Sequence, residues 1–248
     1  MNLTTAPGKR TTFYLWLAVA LSCTVIVGFW FTYFGPLFYG TYPEVSPIVH
    51  VHGWSFFLWY VLFTMQAGLI RSGRAMIHRA LGLTSIVLAT VMITVGLIVS
   101  SVKVATALGP HGDPFWALMG LPIFSIWLLF TVFYAAAIHR RRYAADHSRL
   151  MVLASAVALS AATFRIFVQL FGFELWVAIG GTLAPNLMIV AAMIRDYRSA
   201  REIHRVYAWG LSATVGLVGG TFLLGMTPGG AVVQQGVASV GRPLMRLY

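Results

Sequence analysis

The sequence predicts an all-α integral membrane protein with seven transmembrane helices, a cytoplasmic N-terminus and an exported C-terminus. Three observations support this prediction: the composition, the lengths of the uncharged stretches and the distribution of basic residues. Hydrophobic residues make up 59% of the 248 residues and charged residues only 9%, with a mean hydropathy of +0.82. Because soluble domains carry about 25% charged residues, the composition excludes a soluble globular fold.

The uncharged stretches have the length that a membrane requires. A helix needs about 20 apolar residues to cross the hydrocarbon core, and seven stretches between charge clusters qualify. In chain order they are Phe13–Tyr33, Pro47–Ile70, Ala80–Val102, Phe115–His139, Leu150–Phe171, Leu175–Ile194 and Val206–Met226. Pro122 and Pro185 lie inside the fourth and sixth spans, where a kink is tolerated if neighbouring groups satisfy the freed carbonyl.

The first span is expected to be a retained helix rather than a signal peptide. Its apolar stretch is longer than the roughly 7–15-residue apolar region of a signal peptide, and it lacks a small-residue cleavage site. It contains Cys23, the sole cysteine, which excludes an intrachain disulfide. Ser46 and Pro47 suit the start of the second span as N-cap and first-turn proline.

The last span and the segment after it complete the predicted organisation. Gly216 and Gly220 give the seventh span a GxxxG spacing, which permits close helix approach. We predict one membrane domain over residues 1–226 and an exported, Gly-rich tail over 227–248, lying on the surface or on a partner.

Basic residues set the orientation. One side of the predicted topology carries Lys9, Arg10, Arg71, Arg74, Arg79, Arg140, Arg141, Arg142, Arg149, Arg195, Arg198, Arg201 and Arg205, and the other carries Lys103, Arg242 and Arg246. The positive-inside rule makes the first side cytoplasmic. The net charge of +11 then reflects topology and contact with anionic membrane lipid. Short loops without a basic domain argue against nucleic-acid binding.

Arg165 is the basic residue that remains inside a predicted span. It belongs to a stripe of small and polar residues at helical spacing, which comprises Ser155, Ala158, Ala162, Arg165 and Gln169. A cation facing lipid is costly, so the stripe is expected to face the bundle interior and Arg165 to contact a ligand or cofactor. The alternative is that Arg165 snorkels outward or pairs with Glu174. A guanidinium suits a planar anion such as a carboxylate or a haem propionate.

Three histidines are candidate ligands for a metal or haem iron. His52 shares one face of the second span with Ser55, Trp59 and Gln66, whereas His50 lies about 200° away around the helix. His78 and His147 open the third and fifth spans on the cytoplasmic side. Since His147 precedes Arg165 by five helical turns, the two lie on one stripe at opposite membrane faces.

Several chemistries are disfavoured. The six carboxylates fall at span boundaries or in loops, which argues against di-iron or hydrolytic zinc centres inside the bundle. HExxH, GxSxG and phosphate-loop motifs are missing. A retinal Schiff base is excluded because the only lysines are Lys9 and Lys103. Enzymatic activity is left undecided.

The order of motifs resembles a family of uncharacterised bacterial multi-spanning membrane proteins, a domain of unknown function with a four-helix core. The motifs are His52-Gly53, Gln66, Arg74, His78-Arg79-x-x-Gly82, His147-x-Arg149-Leu150-Met151 and Arg165. The resemblance covers residues 48–171 and implies the bacterial inner (cytoplasmic) membrane. That family is distantly similar to two-haem membrane cytochromes, which implies His52, His78 and His147 as ligands of a haem or transition metal, with Arg165 as a propionate partner.

The sequence departs from the cytochrome pattern, because the fourth span has no histidine before His139 and Gln66 stands fourteen residues after His52. At most one haem or metal is therefore expected. Two functions remain: a cofactor protein for electron transfer or cofactor handling, or a non-catalytic subunit of a larger complex or small-molecule binding protein. In the second, Arg165, Gln169, His52, Trp59 and Gln66 would line a pocket or a contact with another membrane protein. A transporter ranks lowest, since only the sixth span shows a Gly/Pro break.

Overall fold

The computed structural model describes residues 7–248, with side chains from residue 12 onward except Pro114, and every regular element in that range is helical. The elements are α1 (Pro7–Phe29), a π-helical turn (Trp30–Phe34), α2 (Gly35–Phe38), α3 (Pro47–Arg71), α4 (Ala75–Ala107), α5 (Pro114–His139), α6 (Ala144–Ala158), α7 (Ser160–Phe171), α8 (Leu175–Leu183), α9 (Asn186–Ala200), α10 (Arg205–Gly225), α11 (Pro228–Leu244) and a 3₁₀ turn (Met245–Leu247).

Seven helical segments of the described chain are long and apolar enough to span a membrane, which confirms the predicted number. They are Thr12–Phe38, Pro47–Arg71, Ala75–Ala107, Phe115–His139, Ala144–Phe171, Leu175–Ala200 and Arg205–Gly225. The predicted boundaries were too short for four spans. The first ends at Phe38 rather than Tyr33, and the third covers Ala75–Ala107 rather than Ala80–Val102. The fifth begins at Ala144 rather than Leu150, and the sixth ends at Ala200 rather than Ile194. The fifth and sixth helices continue into charged sequence because part of that charge is buried, as described below.

Neighbouring helices pack in the order expected of short loops. Helices α3 and α4, α4 and α5, and α5 and α6 pack in sequence, while α1 packs on α3 and α7. Helix α10 covers α5 and α6.

The two ends of the bundle differ in charge: the "basic face" is the end where α3, α5 and α9 finish in arginine-rich loops, and the "opposite face" is the other end. The cytoplasmic assignment of the basic face stays a prediction.

The break in the sixth span is satisfied by a neighbouring helix, as the sequence required. Pro185 separates α8 from α9 and has no N–H to offer the carbonyl of Gly181. The hydroxyl of Thr163 on α7 donates to that carbonyl over 2.6 Å. Because Gly181 has no side chain, the backbone of α7 at Phe164 can lie against it: a Cβ there would be 2.8 Å from the Phe164 Cα.

The segment 227–248, predicted as a tail lying on the surface or on a partner, is mostly the helix α11, which packs on the bundle of the same chain. Thr227 caps α11 by accepting a bond from the backbone N–H of Gly230 over 3.1 Å. Gly241 lies against the Ser101 carbonyl of α4, and Gln234 donates to the Ala117 carbonyl over 2.7 Å. The buried face of α11 therefore packs mainly on α4, and on α5 through Gln234, within the same chain.

The GxxxG pattern of α10 makes no close contact with another helix in the described part of the chain. A Cβ placed on Gly216, Gly219 or Gly220 would meet no described atom within 4 Å apart from the adjoining residues of its own helix. Close helix approach is found instead at two other glycines. A Cβ on Gly28 would collide with the backbone of Ala162 on α7, and a Cβ on Gly210 would collide with the side chain of Leu153.

Candidate functional site

Arg165 lies on α7 in the opposite-face half of the bundle and is held by three contacts. Its Nε donates to the hydroxyl of Thr32 over 3.1 Å, and Nη1 donates to the Ala161 carbonyl over 2.8 Å. The guanidinium carbon lies 4.3 Å from the centroid of the Phe29 ring, a cation–π distance. The second terminal nitrogen, Nη2, makes no hydrogen bond to a described residue, so donors remain available.

No carboxylate neutralises Arg165 among the side chains that the structure describes. Its expected alternative partner, Glu174, does not come within ion-pair distance, and the four ion pairs found all lie toward the basic face. The phenol ring of Tyr42, in the loop before α3, packs against Tyr33, the residue that follows Thr32, with ring centroids 5.1 Å apart. Burial and the nearby Tyr248 raise the pKa of Tyr42 although Arg165 opposes the change, so this phenol stays neutral near pH 7.

The π-helical turn of the first span helps to build this region. π-turns within α-helices are found frequently at functional sites. This one carries Thr32, which bonds Arg165, and Tyr33, whose hydroxyl lies 3.0 Å from Nδ1 of His50. His50 is thus an aromatic-cluster residue between Tyr33 and Tyr42, separate from His52 as their helical angle predicts.

His52 brings an unsatisfied polar atom to the same region. Its ring packs against Trp127 and Phe56, with centroids 5.9 and 6.5 Å away. The buried Nδ1 atom finds no hydrogen-bond partner in the described part of the chain. Phe56 connects His52 to this region, because its ring centroid lies 5.7 Å from that of Phe29, the ring that Arg165 contacts. We call the group formed by Arg165, Thr32, Phe29, Tyr42 and His52 the Arg165 site.

A second polar cluster, the His78–His147 pair, lies at the basic face. The two ring centroids are 6.3 Å apart and nearly perpendicular. Nδ1 of His147 lies 2.9 Å from the Ala137 carbonyl; because a carbonyl only accepts, Nδ1 carries the proton. Gln66, with its amide nitrogen turned toward His78, donates to Nδ1 of His78 over 2.6 Å and accepts from the Gly82 N–H over 3.1 Å. Nε2 of His147 forms no hydrogen bond within the part of the chain that the structure describes.

These two clusters cannot hold one haem together. His147 and Arg165 are eighteen residues apart along a nearly continuous helix, or about 27 Å at 1.5 Å per residue. The implied ligand set of His52, His78 and His147 with Arg165 as propionate partner is therefore divided between the two faces. In the described part of the chain, no group of three or more His, Cys, Asp or Glu side chains is arranged to bind a metal ion.

The remaining predicted site residues have other positions. Trp59 is a core residue, only 1% exposed, whose indole N–H donates to the Ser155 hydroxyl over 3.2 Å. Gln169 is exposed near the end of α7, so it does not line the bundle interior. Within the stripe of the fifth span, Ser155, Ala158 and Ala162 are buried as expected.

Sequence analysis missed a buried ion pair. Arg149, which we treated as a loop charge, is 6% exposed and donates from Nε to the Asp196 carboxylate over 2.7 Å; Asp196 is 3% exposed. Arg149 also donates to the Ala145 carbonyl. The available signal was the spacing of Ile189, Ala192 and Asp196, which are the buried residues of α9 and recur every three to four positions.

Comparison of the chain with protein-family models, with curated proteins and with solved structures gave no match. The resemblance to the uncharacterised bacterial family and to membrane cytochromes therefore stays a prediction. The Arg165 site and the His78–His147 pair are the features that bear on function.

Proposed function

We propose that this chain is a multi-pass membrane protein that binds a small organic carboxylate at the Arg165 site. The observation that carries the proposal is the guanidinium of Arg165, which lies inside a membrane-spanning segment with no carboxylate partner among the described residues. An uncompensated cation in that setting is costly and is a functional feature by default.

The surroundings of Arg165 favour an organic anion. Two of its nitrogens are fixed by Thr32 and Ala161, which orients the guanidinium, and Nη2 remains free to donate. Charge-assisted bonds from arginine to a carboxylate are among the stronger hydrogen bonds. Phe29 supplies apolar surface for the organic part, and Nδ1 of His52, which has no partner among the described residues, adds a polar atom to the site. The role is one of binding, as a receptor subunit or carrier of a small molecule.

The test uses purified full-length protein in detergent, benzoate as the probe and benzyl alcohol as its uncharged counterpart. We expect benzoate, but not benzyl alcohol, to change tryptophan fluorescence and to raise the melting temperature. Arg165→Gln should weaken benzoate binding about tenfold or more, the value of a lost hydrogen bond to a charged group. Arg165→Lys should weaken it too, because lysine lacks the planar fork.

The matched control is Arg242→Gln on α11, which removes an exposed charge elsewhere and should leave benzoate binding unchanged. Gel filtration establishes that each variant is folded. Equal responses to benzoate and benzyl alcohol, no response to benzoate, or full binding by a folded Arg165→Gln protein would each contradict the proposal.

A second candidate function is ligation of a transition metal or haem iron by the His78–His147 pair, for electron transfer or cofactor handling. What supports it is that the two rings are neighbours, with centroids 6.3 Å apart, and that Nδ1 of His147 is held by a carbonyl in the way that orients metal-ligating histidines. Ligation through Nε2 of His78 would place the proton on Nδ1, so the Gln66 amide would have to present its oxygen instead of its nitrogen.

We expect an optical spectrum and metal analysis of the protein, purified from membranes of its native host, to show a bound metal or haem that His78→Ala and His147→Ala each remove. Gln66→Glu should strengthen retention, because a carboxylate accepts from Nδ1–H without turning. His139→Ala, which changes an exposed histidine of the same face, should have no effect. A colourless, metal-free protein that keeps its fold would eliminate this candidate.

A further inference from the structure

The outer side of α9 carries a groove of about 490 Å³ at the edge of the membrane-spanning region. Its walls are mainly apolar and include Met193, Ile194 and Ile203. At the end nearest the loop, Tyr197, Arg198 and Arg201 also line it. The groove thus has an apolar part and, at one end, two cationic side chains. Val190 and Arg198, which both line it, are about 12 Å apart along the helix.

The two arginines are free to bind an anion. Both are exposed, and neither forms an ion pair with a carboxylate in the described part of the chain, including the neighbouring Glu202. Arg201 adopts the left-handed conformation at φ 56° and ends α9 with a bond from its N–H to the Tyr197 carbonyl over 2.8 Å. This turn lets residues from both α9 and the following loop line one groove.

We propose that the groove binds the anionic phospholipid of the surrounding leaflet, with an acyl chain along Met193 and Ile194 and the phosphate at Arg198 and Arg201. Charge complementarity decides the occupant: two unpaired guanidinium groups directly beside apolar wall match a molecule that joins a phosphate to a hydrocarbon chain. Basic pockets at the membrane boundary bind such headgroups, and guanidinium groups bind phosphate through paired hydrogen bonds. The site is independent of the Arg165 site.

The experiment compares phosphatidylglycerol, phosphatidylcholine and inorganic phosphate as probes of the full-length protein in detergent. Native mass spectrometry counts retained lipid, and thermal unfolding measures stabilisation. We expect phosphatidylglycerol to be retained and to raise the melting temperature, whereas phosphatidylcholine and inorganic phosphate do not. The double variant Arg198→Gln/Arg201→Gln should weaken phosphatidylglycerol binding about tenfold or more, because it removes the charge-assisted hydrogen bonds that the two guanidinium groups donate to the phosphate.

The matched control is Arg141→Gln/Arg142→Gln, which removes two exposed arginines of the same face outside the groove. It should retain phosphatidylglycerol binding within about twofold, a difference of about 0.4 kcal/mol. Equal losses in the two double variants would show diffuse charge attraction and overturn the proposal. Equal binding of inorganic phosphate would show a free-anion site, and equal retention of phosphatidylcholine would show that charge does not select the lipid; either result also overturns it.

Discussion

Replacing Asp196 by leucine is expected to destabilise the folded bundle by about 3–5 kcal/mol. The substitution leaves the Arg149 guanidinium buried beside α9 without the carboxylate that its Nε contacts over 2.7 Å. A buried charge cannot recover its hydration, so removing one partner of such a pair costs far more than the pair contributes. Equilibrium unfolding of the purified protein in a denaturing detergent measures the loss.

Two further variants test this explanation. Arg149→Met/Asp196→Leu removes both charges and should recover most of the stability, because similar apolar side chains often replace a buried ion pair at little cost. Asp146→Leu breaks two more exposed contacts, one with Arg140, which lies 3.1 Å away and is 40% exposed, and one with His204, which lies 3.5 Å away. It should cost only about 1 kcal/mol. Similar losses for Asp196→Leu and Asp146→Leu, or no recovery in the double variant, would contradict the assigned role of the buried pair.

Gly28→Ala is expected to destabilise the protein by about 1–3 kcal/mol and also to weaken benzoate binding severalfold. The added methyl group would lie against the carbonyl oxygen of Ala162 and 2.8 Å from its Cα. Because backbone cannot rotate away as a side chain can, α1 and α7 must separate. Thr32 follows Gly28 by one helical turn and Arg165 follows Ala162 by three residues, so the Thr32–Arg165 bond should lengthen.

Gly216→Ala is the matched control, since it adds the same methyl group where no described atom outside the adjoining residues of α10 lies within 4 Å of it. It should be neutral or slightly stabilising, because alanine favours helix over glycine by up to about 1 kcal/mol. Thermal unfolding and benzoate titration of both variants check the prediction. A Gly28→Ala protein as stable as the Gly216→Ala protein would show that α1 and α7 do not pack as closely as described.

The membrane spans could be predicted because the requirement on a spanning helix is local: about 20 apolar residues and no unpaired charge. The same rule explains the errors at Ala144 and Ala200. Whether Arg149 and Asp196 are loop charges or core residues depends on α6 meeting α9, a contact between residues 47 positions apart. The spacing of Ile189, Ala192 and Asp196 predicts that Asp196 lies on the buried face of α9, but it does not predict which residue Asp196 contacts.

Helical spacing predicts which face of a helix a candidate site residue occupies, but not what that residue contacts. Helical spacing separated His50 from His52 and directed the stripe of α6 and α7 inward. Spacing says nothing about how far a neighbouring helix extends, so Gln169, near the end of α7, is exposed although it follows Arg165 by four residues. It also cannot reveal that the indole of Trp59 is already satisfied by Ser155.

The position of α11 has a consequence for biosynthesis. The Ser46 hydroxyl donates to the carbonyl of Leu247 over 2.7 Å, and Nζ of Lys103 lies 4.8 Å from the centroid of the Tyr248 ring. A ribosome has to make about 200 further residues before the start of α3 acquires this partner. Until then the α4 surface near Ser101 is exposed to lipid or to the insertion machinery. Closure by α11 therefore comes only after the seven membrane-spanning segments have been made, and a nascent protein stalled before residue 228 offers that surface to membrane chaperones or proteases.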